Sequence, residues 1–118
     1  MKQLTLLFFI LFCAKISIAQ VVSPDSAKYY IGKEVTVTGK IVDTYTSKGE
    51  KKVILLNFGD KHPNEIFTVV INNDDIEKFK YNPADFLKEK TIAVKGTVIM
   101  YKDKPEIILK SPDQLTIK

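Results

Sequence analysis

The chain has 118 residues, of which 18 are basic and 14 are acidic, and its formal net charge at pH 7 is +4. This length suits one domain with a single modest core and excludes a large multidomain protein. Every basic side chain is a lysine, and the absence of the planar arginine fork disfavours base-specific reading of duplex DNA.

The first 19 residues have the pattern of a secretory signal peptide. Lys2 supplies a positive charge, residues 4–14 form an apolar run, and small residues at Ser17 and Ala19 precede the expected cleavage point. The apolar run is shorter than the ~20 residues that a membrane-spanning helix needs. We therefore expect cleavage after Ala19, export to the periplasm or the medium, and no membrane span after cleavage. An uncleaved anchor is the less favoured alternative.

Cleavage would leave residues 20–118 as a single domain of 99 residues without cysteine. An exported domain without disulfides must be stabilised by its core alone, which is feasible at this length. The signal peptide contains two lysines, so the remaining 16 lysines would face 14 acidic residues, for a net charge of +2. We expect this domain to be a monomer.

The first predicted elements of the domain are a short helix and a long strand. Ser23 can cap the helix, Pro24 suits its first turn, and Gly32 can end it. The strand follows over about residues 34–44, where apolar and polar residues alternate. Gly39 interrupts this strand, and we expect it to permit a bulge or a sharp coil.

Two further strands are predicted at residues 52–58 and 66–71, joined by a polar loop. Both are almost continuously apolar, so each presents apolar side chains on two faces. One face can bury the core, and the second must be either covered or used for binding. Short helical turns near Asn73 and Asn82 are predicted next, because both residues are good helix caps.

The last part of the domain predicts a β-hairpin and a short tail. Apolar residues alternate from Ile92 to Met100, a polar turn follows at 102–105, and a second apolar run covers 107–109. Segment 90–99 also repeats the pattern of segment 33–42, and each has a glycine within an otherwise good strand.

This order of elements is typical of the oligonucleotide/oligosaccharide-binding (OB) fold. It predicts an all-β, five-stranded Greek-key barrel with a short N-terminal helix and a short helix between strands 3 and 4. The segments AKYYIGKEVTVTGKIVD, LLNFGDKHPNEIFTVVI, KTIAVKGTVIMYKDKPEIIL and SPDQL resemble, in that order, a family of exported bacterial OB-fold domains. Because that family is described as nucleic-acid-binding-like, the resemblance implies a nucleic-acid ligand. The family usually has a glycine ahead of the fourth strand, where this chain has Glu89.

Patterns for catalysis or metal binding are poor in this sequence. His62 is the one histidine and has no signature spacing to a serine or threonine, so no nucleophile–base pair is predicted. One histidine without a cysteine in residues 20–118 makes a poor zinc site. The acidic group at 74–77 lacks the alternating ligands of a calcium loop, which favours helix capping. We expect a protein that is not an enzyme and has no metal or cofactor.

Lysines interleaved with aromatic residues are the remaining candidate surface. OB folds that bind single strands without sequence preference combine aromatic stacking with a basic groove. The predicted nucleic-acid-binding residues are Lys40, Tyr45, Lys48, Lys51, Lys52, Lys61, Tyr101, Lys102 and Lys104. The loops 46–52 and 102–105, which are expected to frame an OB site, contain five of these lysines. Phe58 and Phe67 are the other aromatic candidates, and we expect both to be core residues instead.

Two functions are compatible with these patterns. The first is an exported OB-fold module that binds single-stranded nucleic acid weakly and without sequence preference, through lysine-rich loops and a strand face. The second is a domain of the cell envelope that binds a partner protein, or a small cationic or sugar ligand, and has no nucleic-acid role. The net charge of only +2 and the lack of arginine favour the second, and the fold alone does not decide.

Overall fold

A computed structural model of the chain describes residues 19–118, so the predicted signal peptide lies outside the described residues except for Ala19. In this range, no helix is long and apolar enough to cross a membrane. The strands are β1 (Val21–Val22), β2 (Glu34–Thr46), β3 (Ile54–Phe58), β4 (Phe67–Ile71), β5 (Thr91–Thr97), β6 (Ile99–Tyr101), β7 (Lys104–Ile108) and β8 (Leu115–Ile117). The helices are the 3-10 helices Pro24–Tyr30 and Pro112–Gln114 and the α-helices α1 (Asn73–Ile76) and α2 (Pro83–Leu87).

The strands form one sheet in the order β6-β7-β4-β3-β2-β5-β8, with β1 beside β2. The long strand β2 is central, because its first part pairs antiparallel with β5 and its second part pairs antiparallel with β3. Strand β4 pairs with β7 in parallel. The strands β5 and β6, which lie far apart in this order, are separated along the chain by Val98 alone. The chain is thus mostly β and OB-like in its strand connections.

The core is built from one face of every long strand. In β3, Ile54, Leu56 and Phe58 are buried, and their partners on β4 are buried with them. The rings of Phe58 and Phe67 are fully buried, and their centroids lie 5.3 Å apart. The prediction that these two aromatic residues belong to the core is therefore confirmed.

The prediction of a bulge at Gly39 is wrong. Pairing between β2 and β5 is regular through Gly39, and the register shift of β2 lies between Ile41 and Asp43 in its pairing with β3. Gly39 instead allows close packing, because a Cβ atom there would lie 2.6 Å from Cγ of Pro24 in the first 3-10 helix. Gly96 in β5 has the same role against β7, since its Cβ atom would lie 2.6 Å from a methyl carbon of Ile107.

The helix caps follow the sequence only in part. The prediction that Asn73 caps α1 is wrong, because Asn72 holds that position and its side chain makes no cap hydrogen bond. The side chain of Asn82 accepts hydrogen bonds from two backbone N–H groups of α2, as predicted, but Ser23 forms no such cap at the first 3-10 helix. Lys102 and Asp103 both have positive φ and make a two-residue turn between β6 and β7, whose twist suits a hairpin. Glu89 has φ of 71°, a left-handed conformation that a glycine adopts more easily.

We predict that Gly39→Ala and Gly96→Ala each lower the free energy of unfolding by ~1–3 kcal/mol, because the added methyl group overpacks a buried contact. Urea unfolding of each variant measures the change. Lys95→Ala is the control, since Lys95 is exposed on the same strand as Gly96. Alanine variants as stable as this control would show that the glycines are not needed for close packing.

Candidate ligand-binding face

The candidate site lies on the face of β3, β4 and β7 that points away from the core. Residues paired directly across neighbouring strands point to the same side of a sheet. The pairing therefore makes an apolar row on this face, consisting of Leu55, Val70 and Ile108. A polar row runs beside it and consists of Asn57, Thr68 and Glu106. We call this surface the outer face.

A cavity of about 550 Å³ lies on the outer face. Its floor contains the apolar side chains of Val53, Leu55 and Val70 together with the polar side chains of Thr68 and Glu106. The sequence predicted a second apolar face on these strands, and the structure shows that face lining an open cavity.

Two polar walls flank the floor of this outer-face cavity. One wall comes from Tyr101, Lys102 and Lys104 at the β6–β7 turn. The other comes from His62 and Glu65 in the loop between β3 and β4. The β6–β7 hairpin and the β3–β4 loop, which are distant in the chain, therefore meet at this cavity, and such connections commonly carry binding residues.

A buried carboxylate fixes these two walls to each other. The Glu65 side chain is only 6% exposed, and its Oε1 lies 2.8 Å from Nζ of Lys104. Its Oε2 lies 2.9 Å from Nδ1 of His62, and the Lys104 ammonium also donates to the backbone carbonyl of Pro63. Because an ionised carboxylate only accepts hydrogen bonds, the Nδ1 atom of His62 must carry the proton in this contact.

These contacts determine how readily Glu65 loses its proton. Burial by itself raises the pKa of the Glu65 carboxyl, but the hydrogen bonds from His62 and Lys104 together outweigh burial, so the pKa is lowered from its ordinary value of 4.5. The carboxylate is therefore ionised at neutral pH and neutralises the charge of Lys104. Sequence reasoning missed Glu65, because 39 residues separate it from Lys104 and only the fold brings the pair together.

The polar row is held by a network of hydrogen bonds. The Thr68 hydroxyl donates to Oδ1 of Asn57 over 2.9 Å, and Nδ2 of Asn57 lies 3.4 Å from Oδ2 of Asp43. The backbone N–H of His62 donates to the same Asp43 oxygen over 3.3 Å. Asn57 is fully buried, so this network satisfies a polar side chain that could not remain without partners.

Glu106 is the second polar side chain of the cavity floor. It is partly buried between Thr68 on β4 and Ile99 on β6. Its side chain makes no hydrogen bond or ion pair with any of residues 19–118. Burial raises the pKa of its carboxyl group above the ordinary value of 4.5. A charged group held at some cost in a cavity is a common feature of functional sites.

The structure brings some of the predicted binding residues together at the outer face. Tyr101, Lys102 and Lys104 line the cavity. Tyr45 is the direct partner of Leu55 in the pairing of β2 with β3, so it extends the apolar row. Tyr45 is 52% exposed and Tyr101 is 55% exposed, so both rings are open to a ligand.

The other predicted lysines lie outside the lining of the cavity. Lys48, Lys51 and Lys52 are exposed in the loop between β2 and β3, and Lys61 is exposed in the loop between β3 and β4. Lys40 lies at the far end of the β2–β5 pairing, where its Nζ atom is 3.5 Å from a carboxylate oxygen of Glu89.

Comparison with known proteins supports the fold assignment. No protein-family model matches the chain, and no curated protein matches it. The chain is similar to a solved structure described as an aspartyl-tRNA synthetase from Leishmania major Friedlin, with a TM-score of 0.51 and 12% sequence identity over 99% of this chain. The chain spans only 26% of the length of that protein. At this identity the likeness shows a shared fold alone, in agreement with the OB-like strand connections.

Two small bacterial proteins have lower TM-scores. The hypothetical protein ygiW from E. coli has a TM-score of 0.47 and 18% identity, over 88% of this chain and 100% of that protein. A protein described as a nucleic acid-binding lipoprotein from Klebsiella pneumoniae subsp. pneumoniae has a TM-score of 0.45 and 17% identity, over 85% of this chain and 92% of that protein.

We predict that Glu65→Gln lowers the free energy of unfolding at pH 7 by ~1–3 kcal/mol, because Lys104 loses its charged partner. A carboxyl whose pKa is lowered by folding stabilises the protein above its ordinary pKa, and this stabilisation is lost as the pH falls through the folded value. The difference between the two proteins should therefore shrink in acid. Urea unfolding at neutral and acidic pH measures it, with Glu50→Gln as an exposed control. A variant as stable as the wild type at pH 7 would contradict this prediction.

We predict that Glu106→Gln, in contrast to Glu65→Gln, stabilises the folded protein at pH 7. Because folding raises the pKa of Glu106, its ionised form costs stability once the pH exceeds the folded value, and the cost vanishes in acid where both states are protonated. The variant should raise the melting temperature at pH 7 by up to ~4 °C and leave it unchanged at acidic pH. Thermal unfolding followed by circular dichroism measures the shift. A lower melting temperature at pH 7 would show that the Glu106 carboxylate stabilises the fold.

Proposed function

We propose that this domain is an OB-fold binding module that binds single-stranded nucleic acid weakly, mainly through the phosphate backbone and without sequence specificity. The observation that carries the proposal is the placement of two exposed tyrosines, Tyr45 and Tyr101, on one outer face beside lysine-rich loops. Binding of single strands without sequence preference combines aromatic stacking with a groove of cations.

The two tyrosines stand at opposite sides of the outer face. Tyr45 is on β2 and Tyr101 is on β6, and the strands β3, β4 and β7 lie between them in the sheet. Four strand spacings of ~4.8 Å separate β2 from β6, or roughly 19 Å along the sheet. The apolar floor of Leu55 and Val70 lies between the two rings. This span suits a short strand of about four nucleotides, at the lower end of what one OB fold binds.

The lysines near this face supply the attraction to phosphate. None of Lys48, Lys51, Lys52, Lys61 and Lys102 forms an ion pair with any of residues 19–118. Nζ of Lys102 lies 5.4 Å from the centroid of the Tyr101 ring, so a cation and a stacking platform are adjacent. The acidic residues in the same loops offset part of this positive charge, and Lys104 is already neutralised by Glu65. Binding should therefore be weak.

The proposal includes a closed five-stranded barrel. The support is that β5 and β6 are separated by one fully buried residue, Val98, whose backbone N–H and C=O bond to Lys33 and Gly32. One strand bent at Val98 would pair with β2 before the bend and with β7 after it. This bent strand would be the fifth strand of the barrel, and it would join β7 to β2 and so close the ring that contains β3 and β4. The closed ring would give the outer face a rigid support.

We also propose that the domain is exported after cleavage near Ala19, which the pattern of residues 1–19 supports. The proposed role is binding, and it assigns no residue to catalysis and no cofactor to the domain.

A second candidate function is supported by the acidic groups of the cavity. Glu65 and Glu106 both line it, and the outer-face cavity of about 550 Å³ has the size of a small-molecule site. A domain that takes a small cationic or sugar ligand, with no nucleic-acid role, would use these carboxylates directly. Binding of oligonucleotides, or its absence, distinguishes the two candidates.

We predict that labelled mixed-sequence single-stranded DNA binds at low salt and that affinity falls by ~100-fold as salt rises tenfold, for about three phosphate contacts. The variant Lys48→Ala/Lys51→Ala/Lys52→Ala should bind at least ~10-fold more weakly, because it removes three cations of one loop. Fluorescence anisotropy at two salt concentrations measures both effects.

The matched control has the same loss of charge elsewhere. Lys88→Ala/Lys95→Ala/Lys118→Ala removes three exposed lysines that do not line the cavity or its framing loops. It should bind DNA nearly as well as the wild type. No binding at low salt, binding that does not respond to salt, or an equal loss in both triple variants would contradict the proposal.

A further inference from the structure

Charged groups of both signs line the outer-face cavity. The floor contains the Glu106 carboxyl, whereas Lys102 lies at one wall and Glu65 is already paired with Lys104. Lys48, Lys51 and Lys52 lie in the loop before β3. A phosphate group on the floor would meet a carboxylate, and like charges at close range repel. A bound strand should therefore run its phosphates along the lysines and place an uncharged group in the cavity.

The volume and the lining of the cavity suit an aromatic ring. Its volume of about 550 Å³ has room for one nucleobase with its sugar. The apolar side chains of Leu55 and Val70 form the floor, and the exposed ring of Tyr101 forms one wall. Aromatic side chains stack on every nucleobase, so Tyr101 supplies affinity without deciding which base is bound.

The two polar side chains of the floor, Thr68 and Glu106, both act as hydrogen-bond acceptors. The only proton of the Thr68 hydroxyl is used in donating to Oδ1 of Asn57, which leaves the Thr68 oxygen able to accept. Asn57 cannot reverse this arrangement, because its Nδ2 atom faces the Asp43 carboxylate. Glu106 is the direct partner of Thr68 across β4 and β7, and its ionised carboxylate only accepts. An occupant with hydrogen-bond donors is therefore favoured.

We infer that the outer-face cavity takes a single nucleobase that bears an exocyclic amino group, stacked on Tyr101 and donating from that amino group to Glu106 and Thr68. This inference rests on the proposed function and deepens it. Cytosine offers such an amino group, whereas thymine has a carbonyl oxygen in the same place, which the acceptor pair repels. The preference concerns the one base in the cavity, so binding along the rest of the strand stays nonspecific.

Cytosine and thymine oligomers give the sharpest test, because both are pyrimidines and a purine would add a difference in stacking. Fluorescence anisotropy at low salt compares labelled homo-oligomers of deoxycytidine and thymidine of equal length. The wild type should bind the cytidine oligomer ~3- to 10-fold more tightly. Glu106→Gln should narrow the ratio to within ~2-fold, chiefly by improved binding of the thymidine oligomer, because an amide both donates and accepts.

Glu77→Gln is the matched control, since it makes the same change of charge at an exposed residue after α1. This control should keep the wild-type ratio of affinities for the cytidine and thymidine oligomers. If Glu77→Gln narrowed that ratio as much as Glu106→Gln does, the role of Glu106 would be overturned. Equal, salt-dependent binding of both oligomers by the wild type would overturn the inference and leave the proposed function intact. Failure of both oligomers to bind at low salt would overturn the proposed function and the inference with it.

Discussion

Strand register is the physical constraint on which the outer face depends. Side chains alternate along a strand, so a slip of one residue would exchange the whole core set for the whole outer set. In β3 and β4 such a slip is strongly opposed, because the Phe58 and Phe67 rings pack against each other in the core. The same register places Thr68 beside Glu106 and Leu55 beside Val70. Packing on one face thereby positions the polar groups on the other.

The contrast between the two carboxyl groups at the cavity follows from their neighbours. Both are partly or largely withdrawn from water, and burial alone favours the neutral form of each. Glu65 has a lysine and a histidine as partners, which lower its pKa and make it a structural tie between two loops. Glu106 has no such partner among residues 19–118, so burial raises its pKa. A group kept at a cost to stability is more readily explained by binding than by folding.

Much of the fold could be predicted from the sequence, because its signals are local. Alternation of apolar residues predicted the strands, Asn82 predicted the start of α2, and the register of Phe67 with Val69 and Ile71 predicted its burial. The position of the β2 bulge could not be predicted in this way. Gly39, which was predicted to permit a bulge or a sharp coil, and Gly96 are both required by the close approach of side chains from other elements, Pro24 and Ile107.

The site was less predictable, because it depends on contacts that only the fold creates. Lysines and exposed tyrosines are visible in the sequence, and the two tyrosines do lie on one face. The sequence does not show that Lys104 is neutralised by a glutamate 39 residues away. It also does not show that the polar row on the floor has only acceptors to offer, because this follows from the hydrogen bond between Thr68 and Asn57.

Mapping of backbone amide chemical shifts during titration with single-stranded DNA tests the central claim most directly. If the outer face binds the strand, shifts should be confined to the end of β2 around Tyr45, to the β2–β3 loop, to β3, β4, β6 and β7, and to the turn after Tyr101. The amides of α2 and β8, which lie away from that face, should not move. Shifts concentrated around α2 or β8, or none at low salt, would contradict the account.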